Sequence, residues 1–141
     1  MNKTNSDIFF STRDELTKVC LDDVMYVVSD GNYINLNFKS GRTVTLLASL
    51  QNFIQVTQST NLTHFVRIGR SYVINTAYVS QVNSLRKTIT LVDDNQDERI
   101  ELSASREAVR SLKAALLDSP KTPIADFNTS NGNMEAYQLI K

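Results

Sequence analysis

Acidic residues are missing from the middle of this chain: none lies between Asp30 and Asp93. The same span holds Lys39, Arg42, Arg67, Arg70, Arg86 and Lys87, although 15 basic and 15 acidic residues cancel to a formal net charge of zero over the whole chain. Segregated signs within a neutral total predict a positive face, which suits a polyanionic partner. Other scarcities exclude whole classes of function. The single cysteine, Cys20, has no intrachain partner and reads as a small buried hydrophobe between Val19 and Leu21. No apolar run approaches the ~18 residues of a membrane-spanning helix, and the polar start Met1–Asp7 lacks a signal-peptide pattern. A reduced, cytoplasmic setting is therefore expected. The only histidine, His64, has no neighbouring Cys or second His, so no zinc site is expected and it reads as a loop or strand-edge residue.

Catalytic and cofactor motifs are also lacking. No G-x-S-x-G nucleophile elbow occurs. The four glycines, Gly31, Gly41, Gly69 and Gly132, stand too far apart for a P-loop or a dinucleotide fingerprint. The acidic run Asp93–Asp97 lacks the glycine and the distal glutamate of a calcium-binding EF-hand loop and reads as a hairpin connection. A protein that is not an enzyme, without cofactor or metal, is the expectation.

What the chain does contain is a succession of short strand patterns. Ile8 to Thr12 and Leu16 to Val19 flank the polar turn Arg13-Asp14-Glu15, and Leu21–Val24 reads as a single helical turn with carboxylates at its start. Met25 to Val28 leads into a loop, Ser29–Asn32. The cleanest alternation follows, with Ile34, Leu36 and Phe38 on one face and Tyr33, Asn35, Asn37 and Lys39 on the other. Ser40-Gly41 reads as a two-residue hairpin turn into Arg42–Leu46. Ser49 caps a short helix carrying Leu50, Phe53 and Ile54 on one side, and the uncharged stretch Gln55–Thr63 reads as a loop.

Phe65–Ile68 and Tyr72–Ile74 are two apolar alternations around Gly69-Arg70-Ser71, a bend that lifts one cation off a sheet. Asn75–Tyr78 reads as a tight turn. Val79–Val82, Thr88–Val92 and Glu98–Leu102 follow as strands. Ser103 is expected to cap a last helix to about Leu117, with Val109, Leu112 and Leu116 buried and Arg106, Arg110 and Lys113 on another face. The first turn of that helix, near Ser105 and Arg106, is suited to receive a phosphate. Both prolines, Pro120 and Pro123, follow it. These patterns predict a mainly β, antiparallel fold over residues 1–118 and a flexible tail over 119–141 that is a candidate docking arm.

With catalysis excluded, binding to double-stranded DNA fits best. Arg, Asn and similar side chains on loops can read base edges, while basic groups elsewhere position the backbone. The base-contact candidates are Asn32, Tyr33, Arg70, Ser105 and Arg106, and the phosphate candidates include Lys39, Lys87 and Arg110.

Three blocks then carry a family resemblance: Asp23–Ile34 (D-V-M-Y-V-V-S-D-G-N-Y-I), Phe65–Asn75 (F-V-R-I-G-R-S-Y-V-I-N) and Ile100–Arg106 (I-E-L-S-A-S-R). Their order and spacing resemble those of the LytTR DNA-binding domain, with its I-x-Y-I-E-A-x-G-N-Y and F-x-R-I-H-R-S-Y-I-V-N motifs, over about Ile8 to Leu117. The resemblance implies an elongated antiparallel β fold whose loops enter successive major grooves and bend the duplex. It puts the base-reading loops at Asn32-Tyr33, at Arg70 and at Ser105-Arg106, gives Arg67 and Ser71 supporting or phosphate contacts, and gives Asn75 a structural role. Gly69 stands where the family usually has histidine. The family's common receiver domain is not expected here, because the residues ahead of Asp23 read as the domain's own first strands. The chain is thus expected to be a stand-alone regulator or a fragment of a response regulator. Two copies on a direct repeat and a regulatory protein held by the tail are the expected partners. The alternative is a protein-interaction module that keeps the fold with little specific DNA binding.

Overall fold

The structure, a computed structural model, describes residues 7–60, 64–93, 99–118 and 122–127. Ten strands and two α-helices account for most of these residues, and every strand pairing is antiparallel. The expected mainly β fold is the observed one. Among the described residues no helix is long and apolar enough to cross a membrane.

A five-stranded sheet forms the centre, in the order β5-β4-β3-β7-β6. Its members are β3 (Val24–Asp30), β4 (Tyr33–Phe38), β5 (Thr43–Leu46), β6 (Phe65–Ile68) and β7 (Tyr72–Asn75). Strand β3 is flanked by β4 on one side and β7 on the other. A two-stranded sheet, β1 (Asp7–Ser11) with β2 (Leu16–Cys20), and helix α1 (Leu50–Ser59) contribute to one core. A three-stranded sheet in the order β10-β9-β8 belongs to a second core. It comprises β8 (Val79–Asn83), β9 (Thr88–Val92) and β10 (Arg99–Ser103), and helix α2 (Arg106–Asp118) packs with it.

Both cores follow from strand alternation. Val27, Leu36 and Val73 stand at paired positions across three strands and face the first core, with Phe53 of α1 and Val19 of β2. Ile68, Ile74, Ile89, Leu91, Val109 and Leu112 make the second. A register shift between Val24 and Tyr26 interrupts the alternation, and both Met25 and Tyr26 then go to the second core. Such bulges add one residue to a strand and re-aim the side chains around it. Burial raises the Tyr26 hydroxyl above the ordinary tyrosine range, with neighbouring Tyr72 adding to the effect, so it stays neutral at physiological pH.

Several turns and helix ends differ from those the sequence pattern predicts. Strand β3 extends through Asp30, which pairs with Tyr33, so only Gly31 and Asn32 form the turn rather than Ser29–Asn32. The turn after β4 has three residues, Lys39-Ser40-Gly41, not two: Gly41 N–H donates to Phe38 O at 2.9 Å and Phe38 N–H to Arg42 O at 2.9 Å. Gly41 takes φ +90, which a bulged three-residue hairpin needs. Helix α1 continues through Ser59 where a loop was expected from Gln55, because Thr57 is buried and turns its hydroxyl onto Ile54 O. Ser49 does cap it, within a reciprocal capping box with Asn52. Cys20 is only partly buried. Residues 94–98, which hold most of the acidic run, and most of the tail lie outside the described residues.

Asn75 has the structural role expected of it. It is 2% exposed; its Nδ2 donates to Val24 O at 2.9 Å and its Oδ1 accepts from Ala77 N–H at 3.0 Å, tying β7 to β3 and shaping the 3₁₀ turn Thr76–Tyr78. Asn75→Ala leaves those two backbone groups without a partner and is expected to cost about 2–4 kcal/mol, read as a lower urea midpoint at unchanged m-value.

Candidate nucleic-acid interface

The five-stranded sheet has two turns at one end. Gly31 and Asn32 join β3 to β4. Gly31 has φ +63, while Asn32 is not among the residues with positive φ, which fits a type II′ hairpin turn. Asn32 and Tyr33 are exposed there. Gly69-Arg70-Ser71 joins β6 to β7, with Ile68 paired to Tyr72. Both turns depend on β3: Val28 pairs with Tyr72, and Ser29 N–H donates to Ser71 O at 2.9 Å. Arg70 and Ser71 are exposed, and Arg70 makes no ion pair or hydrogen bond with other described residues.

The start of α2 comes to the second of these turns. Tyr72 Oη donates to Ser103 O at 3.2 Å, and Ala108 packs on Gly69. A shallow cavity of ≈ 350 Å³ lies between the turn and the helix, with Arg70, Ser71, Ser103 and Ser105 among its lining residues. Ser103, the expected cap, is instead the last residue of β10, held opposite Thr88. Ser105 caps α2: its Oγ accepts from Ala108 N–H at 3.0 Å and its carbonyl from Val109 N–H at 3.0 Å. Arg106 and Arg110 are exposed one turn apart on α2.

The proposed base readers Asn32, Tyr33, Arg70, Ser105 and Arg106 thus collect around one end of the central sheet. Lys87 joins them from the β8–β9 hairpin, where its carbonyl accepts from Ala104 N–H at 3.1 Å. Lys39 does not. It follows β4 at the opposite end, six residues and roughly 20 Å of extended chain away from Tyr33, and its Nζ lies 3.4 Å from Asp23. Arg42, beside it, sits over the Phe38 ring at 4.7 Å from the centroid. Arg67 lies on β6 with its Nη1 donating to Gln51 Oε1 of α1 at 3.3 Å, so it is placed at the α1 side of the sheet, away from α2.

Two residues at the site had no sequence signal strong enough to single them out. Ala108 lies beside the expected Val109–Leu112–Leu116 stripe but is small, and Tyr72 sits in an apolar alternation that hides its hydroxyl's task. Gly69 acquires a second explanation. It adopts φ +57, and a Cβ there would meet the Ala108 Cβ at 3.2 Å. Gly69→Ala is expected to lower stability by about 1–2 kcal/mol from backbone conformation alone and to push the first turn of α2 away. Urea unfolding measures the first effect, and amide exchange at Ala108 and Val109 the second.

A model of the LytTr DNA-binding domain family matches residues 14–117. A solved LytTr DNA-binding domain from Bacillus cereus superposes with a TM-score of 0.54 and 26% identity, covering 79% of this chain and 96% of that one. No curated protein matches the chain.

Proposed function

From the premise that this chain belongs to the LytTR family of DNA-binding domains, we propose that it is a sequence-specific transcription regulator reading successive major grooves of a direct-repeat site. Asn32, Tyr33, Arg70, Ser105 and Arg106 contact bases, while Ser71, Lys87, Arg110 and, from the α1 side, Arg67 support the loops or hold phosphates. Lys39, at the far end of β4 beside Asp23, is left out of this proposed set. Two copies occupy adjacent half-sites. A cytoplasmic location goes with this reading, as does regulation through a protein partner held by residues 119–141.

The observation that carries the reading is the gathering of three elements from distant parts of the sequence at one end of a rigid sheet. Each brings an exposed side chain able to reach a base edge. Backbone hydrogen bonds between β3, β4 and β7 fix the two turns, and the Tyr72–Ser103 bond with the Gly69–Ala108 contact fixes the helix start. Pre-set geometry of this kind lowers the ordering cost of binding.

Selection of bound duplexes from a random pool tests the reading and defines the site together. An enriched motif with two spaced half-sites is the expected result. A pool without enrichment, with every duplex bound only at Kd roughly 10⁻⁴ to 10⁻⁶ M at physiological salt, would sink it and leave the protein-interaction module standing.

A further inference from the structure

The tip of the β8–β9 hairpin, Ser84–Lys87, is built more firmly than a plain connection requires. Arg86 N–H donates to Asn83 Oδ1 at 2.9 Å, closing the turn. Lys87 takes φ 57, the one positive φ at a non-glycine residue among those described. A lysine in that conformation is uncommon and is held there by its surroundings. Its carbonyl accepts from Ala104 N–H, one residue before the Ser105 cap, and Asn83 and Ser103 both stand opposite Thr88. The tip is therefore fastened beside the third reading element, at the same end of its sheet.

What this rigid tip displays is an apolar side chain next to two cations. Leu85 is 91% exposed, the most exposed large hydrophobic residue among those described, and Arg86 and Lys87 are exposed after it. No acid occurs anywhere in the hairpin from Val79 to Val92. We propose that Ser84–Lys87 is a fourth DNA contact, in which Arg86 and Lys87 hold phosphates and Leu85 lies against the sugar wall of the groove. The inference rests on the DNA-binding reading above and extends its interface past α2. Duplex DNA presents the matching surface, because its phosphates alternate with apolar sugar edges that aliphatic side chains cover.

The test uses the full chain and a duplex enriched in the selection, with Arg86→Gln, Lys87→Asn and Leu85→Ser measured beside wild type and Arg70→Ala over a range of salt. Asparagine is chosen at 87 because it tolerates positive φ. Loss of either cation is expected to weaken binding about fivefold on specific and unrelated duplexes alike and to reduce the slope of log K against log salt by about 0.9. Leu85→Ser is expected to weaken binding by roughly threefold with the salt slope unchanged, since apolar contact releases no counterions. Unfolding midpoints stay at the wild-type value, because all three side chains are exposed. Tip variants that bind as wild type does, while Arg70→Ala loses its preference for the selected duplex, overturn the fourth contact alone. Wild type that binds every duplex equally overturns it together with the reading on which it rests.

Discussion

Replacing Arg70 with alanine is expected to weaken binding to the selected duplex by roughly tenfold to a hundredfold, about 1–3 kcal/mol, and to leave unfolding unchanged. Arg70 occupies the centre of the β6–β7 turn and has no partner among the described residues. Nothing in the fold therefore depends on its guanidinium, and the loss falls on the complex. A bidentate arginine discriminates one base pair from another, whereas a phosphate contact weakens all sequences equally. Relaxed preference at one position of the site is thus the diagnostic result, more than the drop in affinity itself. Arg70→Lys extends the test, because an ammonium keeps the charge but not the planar fork. It should restore part of the non-specific affinity and little of the discrimination. An Arg70→Ala variant that keeps wild-type affinity and sequence preference in a salt-controlled gel shift would remove Arg70 from the reading surface.

The largest loss of stability is expected at the other core. Phe53 is 1% exposed and joins three elements: its ring stacks on Phe10 of β1 at 5.9 Å between centroids and meets Phe65 of β6 edge-on at 5.2 Å. Truncating it removes the transfer energy of a buried ring, opens a cavity and breaks both aromatic pairs. Phe53→Ala should cost about 3–5 kcal/mol, a large part of the 5–15 kcal/mol typical of a domain. Urea denaturation read by circular dichroism measures it. Phe53→Leu, which refills much of the space, should recover more than half of the loss. Equal losses for the two variants would show that ring geometry rather than volume matters at this site.

Most strands were legible because their alternation is clean and short polar turns separate them. The last helix shows where local pattern stops. In Leu102-Ser-Ala-Ser-Arg106 both serines suit a cap, and the choice of Ser105 is made by Thr88, which holds Ser103 in the β9–β10 ladder. Residues far apart in the chain settle that competition. Helix α1 outran its expected end for a related reason: Thr57 is buried by tertiary packing, and an uncharged stretch without proline or glycine offers no stop signal. The charge pattern did not reveal that Lys39 lies away from the gathered loops. Absence of acids along the sequence is not absence across the surface, because an antiparallel strand carries its two termini to opposite ends of the sheet. Tyr33 and Lys39 are only six residues apart in sequence, yet the length of β4 separates them, and Asp23 comes from elsewhere to pair with the lysine. Gly69 was legible as an unusual residue but not as a fitted one, since its close neighbour Ala108 lies on another element.

Strand β3 has a mechanical consequence. Its backbone binds β4 and β7 at once, so the Gly31–Asn32 turn and the Gly69–Ser71 turn hang from a single ribbon and cannot change their separation independently. A reader of this kind works as a gauge of fixed length. If the chain reads DNA as proposed, the duplex supplies whatever adjustment brings its grooves to the gauge, and that cost depends on the base steps lying between the contacted positions. Flexible pyrimidine–purine steps there would favour a site that no side chain touches, so operators should be ranked partly by how readily they yield.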